Sequence, residues 1–260
     1  PPTCATPTQD LVAWWRGESN AVDSVAASHG TAISGAVSYS TGAVASAFQF
    51  SGGYVRVPAN DRLNVGVSDG FTIEAWVKPS STSGQPLIQW SNGTTAGVGF
   101  STYSSAALRA NIVGPEGQSH FVTSPTAALT SGIYQHVALT YSKTSGLAAL
   151  YIRGGLVAQT NVGSFSPLTQ SDLFLGGQPT SSARFLGGLD EVSLYQRALT
   201  AAEIRGIALA RGAGKCTEPP TIVEHPLSLR VADGGTARFG AVANGIIGLD
   251  VNLLAGRPLL

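Results

Sequence analysis

Charge is scarce in this sequence. Of its 260 residues only 12% are Asp, Glu, Lys or Arg, about half the share of an ordinary soluble domain, and fifteen bases balance fifteen acids. There is no basic run, so the electrostatic footprint that nucleic acid or an anionic membrane surface demands is missing. Neutral partners fit this composition better than charged ones. No apolar stretch reaches the ~18 residues of a bilayer crossing, and no membrane insertion is expected. Methionine is absent and the sequence opens on Pro1, as a fragment does, or a mature chain that has shed a signal peptide. Cysteine is nearly absent too. The two present, Cys4 and Cys216, lie in Pro/Thr-rich stretches just outside the regularly patterned part of the chain. In that position a pair reads as a disulfide joining the ends of one domain in an oxidising compartment, hence a secreted or cell-surface protein. Two unpaired thiols in loose tails is the other reading.

What is present is glycine, at 32 residues, with Ser, Thr and Ala, broken by short runs of Val, Ile, Phe, Tyr and Thr. Such runs, punctuated by Gly, Asn, Ser and Pro, are the signature of antiparallel strands. The spacing predicts strands over 11–15, 48–50, 54–57, 71–78, 86–90, 97–103, 107–113, 120–123, 134–142, 148–153, 156–160, 173–175 and 189–195. Asn92-Gly93 and Gly154-Gly155 supply the positive φ of tight hairpins. So many short strands predict an all-β, two-sheet antiparallel sandwich of the jelly-roll kind. One short helix interrupts near the end: Thr200-x-x-Glu203 is a capping box, and the helix should stop near Gly212. After Cys216, Glu218-Pro219-Pro220-Thr221 reads as a stiff linker. Ile222 onward reads as the first strands of another β domain, too short to bury a core. The expected division is 1–217, the sandwich, and 218–260, linker and truncated segment.

Chemistry is hard to find. Gly66-x-Ser68-x-Gly70 has the spacing of a nucleophile elbow, but an elbow needs a helix after the serine and a strand follows here. His29, His120, His136 and His225 are scattered, without zinc spacing or a nucleophile beside them. Asp190 and Glu191, adjacent on a strand, should face opposite sides, and isolated Glu74 should sit on a solvated sheet face. No catalytic residue is assigned. Trp90 and Tyr103, close to predicted loops, are the candidate ligand-binding rings, because apolar sugar faces stack on aromatics. Trp14, Trp15 and Trp76 sit in apolar strands and read as core.

Four ordered stretches carry a resemblance: Leu11–Trp15, Phe48–Pro58, Phe71–Pro79 and Phe185–Tyr195 with the capped helix behind it. Together they resemble the laminin-G-like, concanavalin A-like jelly-roll domains of exported bacterial proteins, over about residues 11–212. Residues from Ile222 are similar to the opening of a bacterial immunoglobulin-like domain, without its central tryptophan strand. The resemblance implies a non-catalytic binding module of a longer exported chain, recognising carbohydrate or a cell-surface glycan. A glycan-cleaving enzyme on the same fold and a structural or adhesive spacer are the alternatives. Tyr151–Gln159 also resembles in spacing a motif of jelly-roll alginate lyases, with Val157 where that family has its catalytic tyrosine, so a plain hairpin is the better reading. Finally, the resemblance implies a structural Ca²⁺ held by Asp23 and Asp190, with Glu18 a weaker candidate ligand.

Overall fold

The computed structural model describes residues 4–33, 36–81, 83–217, 221–224 and 242–244. The chain divides into two units, Pro1–Cys216 and Thr217–Leu260. In the first, strands β1 (Leu11–Trp15), β2 (Thr31–Ile33), β3 (Val37–Thr41), β4 (Ser46–Ser51), β5 (Tyr54–Val57), β6 (Gly70–Pro79), β7 (Pro86–Ser91) and β8 (Ala96–Tyr103) come first. They are followed by β9 (Ala107–Val113), β10 (Ser119–Thr123), β11 (Gln135–Ser142), β12 (Leu147–Ile152), β13 (Gly155–Asn161), β14 (Asp172–Leu175) and β15 (Leu186–Tyr195). One sheet has eight strands in the order β13-β12-β11-β6-β15-β4-β3, with β1 also beside β15; the other has seven, β10-β9-β8-β7-β14-β5-β2. All pairings between these strands are antiparallel, and the architecture is the predicted two-sheet sandwich.

Period-two alternation sorts each strand between core and surface. Phe71, Ile73, Ala75 and Val77 of β6 and Val137, Leu139 and Tyr141 of β11 face Ile88 and Trp90 of β7, Val98 and Phe100 of β8, and Leu108, Ala110 and Ile112 of β9 in one buried cluster. Burying each large member stabilises the fold by about 1.5–3 kcal/mol. Strands β2 and β3 escape the sequence pattern. The latter reads Val-Ser-Tyr-Ser-Thr, lies at a sheet edge and is mostly half-buried or exposed, so it carries no apolar run to announce it. The β12–β13 hairpin turns one residue earlier than expected, at Arg153 and Gly154 with φ of 53° and 79°, the paired positive φ of a type I′ turn.

Helix α1 (Ala201–Ala210) starts as predicted: Thr200 Oγ1 accepts from the Glu203 N–H at 3.3 Å and Glu203 Oε2 from the Thr200 N–H at 2.7 Å. The segment leading into it is fastened to the outer face of the eight-stranded sheet, where Thr72 Oγ1 accepts from the Leu199 N–H and donates to the Arg197 carbonyl. Cys4 and Cys216 form a disulfide across 5.0 Å of Cα separation, and the Ala5 N–H to Gly214 and Cys216 N–H to Ala5 carbonyl bonds zip the two ends together. In the second unit, β16 (Thr221–Glu224) pairs antiparallel with β17 (Val242–Asn244). The rest of the immunoglobulin-like expectation and His225 lie outside the described residues.

Candidate functional site

Alternation on β9 sends Leu108, Ala110 and Ile112 inward and leaves Arg109 and Asn111 on the outer face of the seven-stranded sheet. Register then assembles a row across the strands: Gln89 of β7, Gly99 of β8, Asn111 of β9 and Phe121 of β10 stand side by side. The row floors a groove of about 400 Å³ that Tyr103, Arg109 and the loop residues Ser181 and Ala183 also line. Gly99 opens the floor; a Cβ there would project into the groove and come no closer than 3.9 Å to any neighbour, Gln89 Cβ.

Tyr103 and Phe121 are the exposed aromatic rings among the described residues, at 40% and 46%. Both lie against one guanidinium: Arg109 is 4.4 Å from the Tyr103 centroid and 3.8 Å from that of Phe121. Because β9 runs between β8 and β10, the guanidinium is flanked from both sides, and cation–π attraction holds it there. Arg109 Nε and Asn111 Oδ1 are shielded from solvent without a hydrogen-bond partner among the described residues, while Asn111 Nδ2 donates to Ser119 Oγ at 3.0 Å. The groove is thus lined by two exposed rings, a guanidinium and an amide. A hollow of similar volume, about 410 Å³, lies between α1 and Ala5–Thr8. It has no exposed ring, and its carboxylate, Glu203, is already engaged by Arg197 at 2.6 Å.

Both candidate ligand residues line the groove, but only Tyr103 presents an exposed ring there. Trp90 is fully buried, because alternation along β7 puts it on the same side as Ile88, within the core. Proximity to a turn misplaced it.

The acidic residues gather on the other sheet. Thr72, Glu74, Trp76 and Lys78 alternate with the core residues of β6 and so face outward, but the segment after α1 covers Glu74 completely. Lys215 Nζ lies 2.9 Å from Glu74 Oε1 and 3.4 Å from Glu191 Oε2, and His136 Nε2 is 3.1 Å from Glu74 Oε2. The solvated face expected for Glu74 is therefore corrected: its counter-charge comes from 141 residues away. Burial alone would raise the Glu74 pKa, but the Lys215 charge and the His136 hydrogen bond outweigh it and hold the carboxyl down at about 2. Asp190 and Glu191 do not face opposite sides. A bulge with Glu191 at φ 56° interrupts the pairing of β15 with β6 and turns both side chains toward the segments at 42–45 and 214–215.

Each residue named for calcium has protein partners of its own, while Glu18 Oε1 and Asp190 Oδ1 are buried without a hydrogen-bond partner among the described residues. Asp23 Oδ1 accepts from the Trp14 and Val25 N–H groups and Oδ2 from Ser28, at 2.9, 3.0 and 3.2 Å, so this carboxylate shapes the loop after β1. Asp190 Oδ2 accepts from the Val44 N–H at 2.8 Å. Burial, against that hydrogen bond and with the neighbouring Glu191 charge, pushes the Asp190 pKa up to about 7. Glu18 bonds the Ser46 N–H and pairs with Arg16. Among the described residues no group of three or more His, Cys, Asp or Glu is arranged to hold a metal. Ser68 lies in the turn entering β6, His29 Nδ1 accepts from the Asp23 N–H, and His120 stacks on Phe165.

A family model described as the concanavalin A-like lectin/glucanase superfamily matches residues 50–205. A search of curated proteins returns no match. Among solved structures, the chain is similar to the binding domain of Paraclostridial mosquitocidal protein 1, with a TM-score of 0.61 and 18% identity over 77% of this chain and 52% of that one. It is similar to domain 4 of AbnA, a GH43 extracellular arabinanase from Geobacillus stearothermophilus solved with arabinotriose, with a TM-score of 0.59 and 20% identity over 78% and 98%. The botulinum neurotoxin serotype D ligand-binding domain, solved with N-acetylneuraminic acid, gives a TM-score of 0.61 and 12% identity over 77% and 50%. The chain thus spans about half the length of the two toxin domains and nearly all of the arabinanase domain. At these identities the likeness is one of fold.

Proposed function

Since the chain belongs to the concanavalin A-like lectin/glucanase superfamily, we propose that it is a carbohydrate-binding module, not a catalyst, and that its sugar lies in the groove of the seven-stranded sheet. One observation carries this reading: the two exposed rings, Tyr103 and Phe121, flank a single guanidinium next to Asn111. Sugars present apolar C–H faces and hydroxyl edges, so a site for them needs ring surface together with hydrogen-bonding groups that the protein has not already used. The groove offers both. The acids support binding over turnover, because Glu74 and Glu191 are buried against Lys215 on the opposite sheet and a hydrolase needs its carboxyl pair at the bound sugar. Two similar domains were solved with sugars, and the disulfide supports an exported, extracellular location.

Gly99→Leu is the direct test. The strand backbone accepts the side chain and the space is open, so folding should be unaffected while the groove floor is filled. On a glycan array and by titration with each sugar that binds, the variant should lose at least tenfold in affinity at an unchanged melting temperature. Undiminished binding by Gly99→Leu would remove the groove from the account, and hydrolysis of a bound sugar would overturn the non-catalytic reading.

A further inference from the structure

We infer that the groove takes an acidic sugar, one bearing a carboxylate, and that Arg109 is the residue that recognises it. This rests on the groove being the sugar site and adds the charge of the ligand.

The charges of the seven-stranded sheet point that way. Its strands carry two arginines, Arg56 and Arg109, and one acid, Asp172. Asp172 is engaged: its Oδ2 accepts from Arg56 Nε at 2.6 Å and its Oδ1 from the Ala59 N–H at 2.9 Å. Arg109 has no such partner. Among the described residues its guanidinium makes no ion pair and no hydrogen bond, and its Nε is shielded from water. Among the described residues no Asp or Glu lines the groove. On the same loop as the lining residues Ser181 and Ala183, Arg184 donates to their carbonyls and lies 5.4 Å from the Tyr54 centroid.

Geometry narrows what Arg109 can bind. The guanidinium lies within 4.4 Å of both ring centroids, and it carries its N–H donors in a fixed planar fork. A carboxylate matches that fork with two parallel charge-assisted bonds, each roughly twice as strong as a neutral one. A lone sugar hydroxyl leaves donors unfilled. The zero net charge of the whole chain hides this polarity, because Glu74, Asp190 and Glu191 all stand on strands of the other sheet.

The test compares acids with their own methyl esters, which share every hydroxyl and lack the charge. Oligogalacturonate, oligoglucuronate and sialyllactose, each with its ester, are titrated calorimetrically into the protein. At least one acid should bind tenfold or more tightly than its ester, and added salt should narrow the gap. Arg109→Gln should erase the difference by weakening the acid and leaving the ester nearly unchanged, and Arg109→Lys should restore only part of it. Equal binding of acid and ester, still blocked by Gly99→Leu, overturns the inference and leaves the groove as a neutral-sugar site. Acid binding that Gly99→Leu does not affect overturns it as well, because the acid then sits elsewhere. If no acid or ester binds while neutral sugars on the array do, the inference fails and the proposed function stands. If nothing binds at all, both fall. The wild-type comparison needs no variant, so it holds even if an Arg109 substitution fails to fold.

Discussion

Replacing Lys215 with methionine keeps most of the side-chain volume and removes one buried positive charge. In the native fold that charge lies within 3.4 Å of Glu74 and Glu191 oxygens, with all three side chains no more than 1% exposed. Burial would lower the Lys215 pKa, but the Glu74 and Glu191 charges outweigh it and raise it. For Glu74 the displacement from 4.5 to about 2, at ~1.4 kcal/mol per unit, corresponds to about 3 kcal/mol in favour of the charged carboxylate. Among the influences that lower it, the Lys215 charge is the largest. Lys215→Met leaves two buried acids with His136 and the half-exposed Arg16, whose Nε is 3.6 Å from Glu191 Oε1. Breaking a buried pair from one side costs about 3–5 kcal/mol, a large part of the 5–15 kcal/mol by which a domain is typically stable. Urea unfolding at pH 7, followed by tryptophan fluorescence, should show a lower midpoint at an unchanged slope. Adding Glu74→Gln to Lys215→Met should recover part of the loss, because one of the two orphaned acids disappears. A cost under about 1 kcal/mol, or strict additivity of the two substitutions, would refute the coupling.

Three further outcomes are expected. The folded pKa of Glu74 lies below its unfolded value, so the stabilisation is complete above pH 4.5 and is lost as the pH falls toward about 2; over that window the wild type should lose about 3 kcal/mol more than Glu74→Gln in parallel unfolding curves. Tyr103→Ala should weaken sugar binding about tenfold at constant melting temperature, whereas Trp90→Phe should cost about 1–3 kcal/mol of stability and leave affinity unchanged; loss of binding by Trp90→Phe at full stability would return that ring to the site. With no group of three metal-ligating side chains among the described residues, melting curves in millimolar calcium and in excess chelator should superimpose, and a clear rise with calcium would support the site expected at Asp23 and Asp190, since a ligand of the folded state alone must raise its stability.

The sandwich was legible because its inward residues are large and alternate. Phe71-x-Ile73-x-Ala75-x-Val77 announces both a strand and its buried face. Strand β3 was illegible for the converse reason, being a polar edge. The face of Trp90 was also readable, since Gln89 between Ile88 and Trp90 marks the outward position, and only nearness to a turn argued otherwise. Arg109 and Asn111 are polar at i and i+2 of β9, so their shared outer face could have been found. What they meet could not, because Tyr103 and Phe121 come from the neighbouring strands and register decides the encounter. Glu74 and the Asp190–Glu191 pair were misread for a deeper reason. A cation far along the chain covers the first, and a bulge with a non-glycine residue at positive φ defeats alternation at the second.

The disulfide and the buried ion cluster work together through adjacency. Cys216 follows Lys215, and the backbone bonds of Ala5 with Gly214 and Cys216 fix the path between them. A link closing 212 residues limits the unfolded chain by about 5 kcal/mol in the chain-entropy model, and it also holds the ammonium over Glu74 and Glu191. Those acids can then be buried as charges on the eight-stranded sheet. The consequence reaches the opposite face. An acidic ligand approaching Arg109 would be repelled by carboxylates beside the groove, and the one acid on the strands of that sheet, Asp172, is paired with Arg56. A chain with equal numbers of acids and bases can offer a cationic groove only if its acids stand elsewhere, and Glu74 and Glu191 do so, on the other sheet around Lys215 beside the disulfide.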